Sequence, residues 1–99
     1  MIIVAGTLRV PEDRIDELMP AARATAEATR EEDGCIVYAF AVDVEDGGLL
    51  RIYEEWESRA HLAAHGKQPH MAPWRAKLVE IGATDRNLKI YEASAGEPL

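Results

Sequence analysis

Three histidines, one glutamate in an apolar row and six aromatic residues are the side chains of this sequence best suited to chemistry. Glu54 stands in the alternating series Leu50, Ile52, Glu54, Trp56. Alternation puts all four on one face of a strand. A carboxyl among apolar neighbours is pushed towards its neutral form, so Glu54 is a candidate general base or proton donor. The plainer reading is a buried acid satisfied by a nearby His, Arg or hydroxyl. His61 and His65 are four residues apart and can share a helix face, a spacing that metal ligands often use. There is no HExxH pattern, however, and Cys35, the single cysteine, belongs to a distant strand, so no metal site is expected. His65 and His70 flank the break at residues 66–69, which aims both at the sheet. At least one of the three histidines is expected to face a ligand, with the others solvated.

The aromatics are Tyr38, Phe40, Tyr53, Trp56, Trp74 and Tyr91. Most belong to core or interface. Tyr38 and Trp56 can share one face of neighbouring antiparallel strands, with Trp74 on a helix above. A space lined by Tyr, Trp, His and Glu suits a planar aromatic ligand. The candidate catalytic set is therefore Glu54, His65, His70 and Tyr38. Trp56, Trp74, Phe40 and His61 are the candidate substrate-binding set. Cys35 reads as a small buried hydrophobe, with no basic neighbourhood to make it reactive. GxGxxG, P-loop and GxSxG patterns are absent, which leaves no motif for a nucleotide, a flavin or acyl transfer.

These residues need elements to position them. Ile and Val over 2–10 predict a strand with Ile2, Val4, Leu8 and Val10 on one face. Pro11 starts a helix predicted over 11–32, with Ile15, Leu18, Met19, Ala22 and Ala26 at helical spacing. Pro20 should kink or split it. Glu31, Glu32 and Asp33 oppose the negative end of its dipole, and Gly34 stops it. A strand over 35–44 follows, with Ile36, Tyr38, Phe40 and Val42 alternating against Cys35, Val37, Ala39 and Ala41. Asp46, Gly47 and Gly48 signal a hairpin into a strand over 49–57. Ser58 caps a helix over 59–66, a second segment runs over 69–81, and a last strand spans 87–93. The order predicts a ferredoxin-like α+β fold, βαββαβ, as one domain over 1–94 with a loose tail over 95–99.

The strands are apolar on both faces, while the helices of this topology cover only one. A homodimer packed through the sheet face would bury the other. The 99 residues fit one domain, and no apolar run approaches the ~20 residues of a membrane span. The N-terminus lacks the basic region of a signal peptide, and one cysteine fits a reducing cytoplasm. The net charge of -7 argues against nucleic acid as partner.

Gly34-Cys35-x-x-Tyr38, Tyr53-Glu54-x-Trp56-x-Ser58, Leu62-x-x-His65 and Pro69-His70 together resemble the antibiotic biosynthesis monooxygenase domain, the family that includes quinol monooxygenase-like proteins. The likeness covers residues 2–93. It implies a dimeric α+β barrel with a ligand cavity between each sheet and its helices. It also implies oxygenation of phenols, quinols or anthrone-like polyketides without metal, haem or flavin, with Tyr38, Glu54, Trp56, His65 and His70 matching the family pattern. The sequence departs from the haem-degrading branch, having no Asn on the first strand and His65 near the Trp position.

An electron-rich dihydroxyarene, once deprotonated, can give an electron to dioxygen itself. The protein then supplies a base, a dry cavity and an oxyanion donor. Glu54 or a histidine would be the base, Tyr38 or a histidine the donor, and Trp56 and Trp74 the walls. The expected activity is cofactor-independent oxidation of a small quinol-like or polycyclic aromatic molecule. The competing expectation is a non-catalytic or regulatory binding module on the same fold.

Overall fold

A computed structural model describes residues 1–99. The chain runs through β1 (Ile2–Arg9), a turn of 3-10 helix (Glu12–Arg14), α1 (Ile15–Arg30), β2 (Cys35–Val42) and β3 (Leu49–Trp56), then α2 (Arg59–His65), α3 (Met71–Ile81) and β4 (Thr84–Glu92). The strands form one antiparallel sheet in the order β2-β3-β1-β4. This is the ferredoxin-like α+β fold that the element order predicts.

The pattern of burial follows the alternation in β1: Ile2, Val4 and Leu8 are buried against the helices. In α1 the buried residues are Leu18, Ala22, Thr25, Ala26 and Thr29, one stripe at helical spacing. Burying a side chain such as Leu18 is worth about 1.5–3 kcal/mol, and this stripe fixes α1 on the sheet. Of the two outcomes expected at Pro20, a kink or a split, the split does not occur: α1 runs unbroken through it. Pro20 and Asp16, whose carbonyl loses its partner, are both exposed, so water can take that bond. The helix ends at Arg30, two residues short of the predicted end, which leaves Glu32 in the turn before β2.

A second departure is in β2. Cys35 pairs with Trp56 and Val37 with Glu55, so Ile36 is an extra residue, a bulge. The predicted alternation holds from Val37 to Val42, and the bulge reverses it only at Cys35 and Ile36. Cys35 shares the inner face with Tyr38, while Ile36 is 49% exposed. The strand also stops at Val42, β4 starts at Thr84, and α3 starts at Met71. Gly34 adopts φ +81, and a Cβ there would lie 2.2 Å from Cγ of His61, so only glycine fits this corner.

The three helices lie on one side of the sheet. The core falls into two clusters. One gathers Leu8, Leu18, Leu50, Ile52, Trp74 and Ile81, among others; the second holds Ile2, Val4, Ala26, Tyr38 and Trp56. The opposite face carries Ile3, Ala5, Ala39, Tyr53 and Tyr91 with no helix over it, and both tyrosines are exposed. The accessible surface, 6283 Å², exceeds the roughly 5,600 Å² expected of a self-contained monomer of this mass. No helix is long and apolar enough to cross a membrane.

Candidate functional site

A cavity of about 340 Å³ lies between the inner face of the sheet and the helices. Its floor is Val4, Tyr38, Phe40, Ile52 and Glu54 from the strands, and its roof is Leu62, His65, Met71, Trp74 and Leu78. β4 closes one side with Arg86, Leu88, Lys89 and Ile90. Phe40 and Trp74 stack with ring centroids 4.9 Å apart, and Tyr38 meets Phe40 edge-on at 5.2 Å. The volume is at the small end of ligand pockets, which suits one or two fused rings.

Three elements meet at one carboxylate oxygen beside this cavity. Oε2 of Glu32 lies 2.8 Å from Nδ1 of His65 and 2.9 Å from Nε2 of His70. Thr29 Oγ1 lies 3.2 Å from the same His70 nitrogen. A carboxylate only accepts hydrogen bonds, so both contacted ring nitrogens carry hydrogens. In neutral His65 the other nitrogen, Nε2, is then a free base. It has no protein partner and is not sealed from solvent, and His65 lines the cavity. The ring is held by Trp56 at 4.8 Å and by Tyr38 edge-on at 5.2 Å. The atoms that Glu32, His65 and His70 could offer a metal lie within 4.8 Å of one another, with Glu32 Oε2 hydrogen-bonded to both imidazoles.

Glu54 is the second polar group of the cavity, and it is buried. Burial pushes its carboxyl above the usual range. The Trp56 indole N–H, which donates to Oε1 at 2.9 Å, and the charges of His65 and Arg86 oppose this, while Glu32 reinforces it. Tyr38 is also pushed up, by burial first and then by Glu54 and Glu32, so it stays a phenol able to donate. The Cys35 thiol is raised for the same reasons, burial first, which is the opposite of what a reactive thiol needs.

Of the eight candidates, Glu54, His65, Tyr38, Trp74 and Phe40 line the cavity. The other three do not. Trp56 is fully buried behind Glu54 and His65, and so supports the lining instead of forming it. His70 stands behind His65 on Glu32. His61 packs over Gly34, bonds to Ser58 at 2.8 Å and lies 3.4 Å from Asp33, so it clamps the corner between α1 and β2, away from the cavity. Glu32, Arg75 and Arg86 did not stand out in the sequence. Glu32 reads there as an unfavourable acid at a helix end, and that unexplained cost was its one signal.

The model of the antibiotic biosynthesis monooxygenase family matches residues 1–77. The chain belongs to this family. It is 30% identical to the Synechocystis protein sll1783 over 98 residues, which is 99% of this chain and 67% of that one. It is 33% identical over 70 residues to an Escherichia coli protein named probable quinol monooxygenase YgiN, covering 63% of this chain and 66% of YgiN. The crystal structure of a Deinococcus radiodurans protein classed with the antibiotic biosynthesis monooxygenases superimposes with a TM-score of 0.92. The two are 28% identical, over 100% of this chain and 98% of that one. The family match therefore contains Glu32, Tyr38, Glu54 and His65 but stops before β4.

Proposed function

We propose that this family member oxidises a small quinol-like aromatic with dioxygen, using its own residues for proton transfer and needing no cofactor. The observation that carries the reading is the free Nε2 of His65, held by Glu32 and facing an aromatic-walled cavity. His65 is the base. It takes the proton of a substrate hydroxyl at Nε2, and the Glu32 charge stabilises the imidazolium that forms. The phenolate is then electron-rich enough to reduce dioxygen. The Tyr38 phenol donates to the oxyanion that develops, and Glu54, shifted towards its neutral form by burial, stands beside it in the cavity. Phe40, Trp74 and Leu78 keep bulk water from the reacting atoms.

The sum balances without an outside reductant. A dihydroxynaphthalene and dioxygen give a hydroxynaphthoquinone and water. The cavity volume favours one or two rings over a larger polyketide. The working unit is a homodimer joined through the open sheet face, supported by the uncovered Ile3, Ala5, Tyr53 and Tyr91 and by the excess surface.

The test is oxygen uptake by chelator-treated protein across a panel of hydroquinones and dihydroxynaphthalenes, with and without a ring carboxylate. Uptake above background that is lost in His65→Gln is expected. No uptake from any member of the panel, by folded protein, overturns the reading in favour of a binding module.

A further inference from the structure

The charges around the cavity run against those of the chain. The protein carries -7 overall. Yet the charged side chains that border the cavity from the inner face of the sheet and from the helices are Arg86 and Arg75 against the single Glu54, which burial shifts towards its neutral form. No carboxylate pairs with Arg75 or Arg86, although five other Lys and Arg side chains are paired with acids, so both guanidinia are free to bind an anion. Arg75 is fixed from the α3 side by a bond to the Gly66 carbonyl at 2.6 Å, which occupies one of its five N–H groups.

Arg86 is placed by an irregularity in β4. Between the pairs Arg9–Thr84 and Thr7–Asn87, β4 has one residue more than β1, and Asp85 takes φ +52. A bulge next to a cavity is a common means of re-aiming a side chain, and Asp is among the few non-glycine residues that readily take the left-handed conformation such a bulge can use. Arg86 borders the cavity immediately after this point and is close enough to act on the Glu54 charge. It also lies beyond residues 1–77, the extent of the family match.

We propose that the substrate is an aromatic acid, whose ring packs beside the stacked Phe40–Trp74 pair and against His65 while its carboxylate or phosphate is held at the mouth by Arg86 and Arg75. A planar guanidinium fork matches either oxyanion in a bidentate pair. Arg86 and Arg75 thus select among the aromatics that the proposed oxygenase would accept, and this inference rests on that reading for the chemistry but not for the binding.

The experiment separates the two by using ligands that cannot react. A naphthoate, a naphthyl phosphate and the neutral naphthamide are titrated into the full chain, with tryptophan fluorescence and calorimetry as readouts. At least one anion is expected to bind about tenfold more tightly than the amide. That preference should shrink as salt is raised and vanish in Arg86→Gln, while the amide binds that variant as before. Arg75→Gln should weaken the preference. Equal affinity for all three ligands overturns the proposal, as does an anion preference that survives in both variants. Oxygen uptake is then compared for a dihydroxynaphthoate and a dihydroxynaphthalene. If neither reacts while the anion preference holds, the oxygenase reading fails and the anion site stands.

Discussion

Replacing Glu32 by Gln is the sharpest test of the proton-transfer scheme, because it keeps the shape and removes the charge. Glu32 accepts from His65 at 2.8 Å and from His70 at 2.9 Å. When His65 takes a proton, its charge forms about 4 Å from that of the carboxylate. At an effective dielectric near 20 the bare attraction between two unit charges at that distance is about 4 kcal/mol, part of which the desolvation of the buried pair offsets. The Gln amide keeps part of the hydrogen bonding, so kcat/KM for oxygen uptake should fall by about 10²–10³-fold. Exchanging two charge-assisted bonds for neutral ones costs about 1–3 kcal/mol of stability, so Tm should drop by roughly 4–8 °C per kcal/mol while the protein still folds. His65→Gln should lose about as much activity, and the double variant no more than His65→Gln alone, since the two residues act as one unit. Nitrogen-15 NMR of the native imidazole should show the hydrogen on Nδ1. A folded Glu32→Gln protein within about threefold of native kcat/KM, or additive losses in the double variant, would refute the reasoning.

Stability should depend on pH through Glu54. Its carboxyl is raised in the folded state, chiefly by burial, so the folded protein holds a proton that the unfolded chain releases. Stability therefore falls as pH rises from the ordinary carboxylate value towards the raised one, and Tm scans of Glu54→Gln should lose that slope. Gly34→Ala combines a left-handed backbone with a clash against His61, so it should cost more than about 1–2 kcal/mol, read as a lower midpoint in urea. Ala5→Arg together with Ala39→Arg puts charge in the middle of the open sheet face. Sedimentation should then report a monomer where the native chain sediments as a dimer; a native monomer would reject the assembly.

The parts of the fold governed by local pattern were legible in the sequence. The inner faces of β1 and β3 follow from alternation alone, and α1 from its spacing of Leu18, Ala22 and Ala26. Glu54 stood out because a carboxyl in an apolar row violates that pattern. What could not be seen depends on pairing between distant segments. The bulge at Ile36 is set by the register against β3, and nothing in a continuous run of apolar residues marks it. Glu32 acquires its meaning from residues 33 and 38 positions away. His61 and His65 have the same relation to their helix, yet only His65 reaches the cavity, because Gly34 leaves room for the His61 ring at the corner. Arg75 and Arg86 look like ordinary solvated cations until helix and edge strand bring them to one opening.

The two bulges have a further effect, on solubility. β2 and β4 are the edges of the sheet, and each carries one irregularity, at Ile36 and at Asp85–Arg86. A regular edge offers a row of free backbone groups to any other strand, whereas a bulged edge offers a broken and twisted one. The extra residue in β4 thus does two jobs, aiming Arg86 and interrupting a surface on which chains would stack. Deleting it to straighten the strand would be expected to turn a ligand-binding defect into a colloidal one.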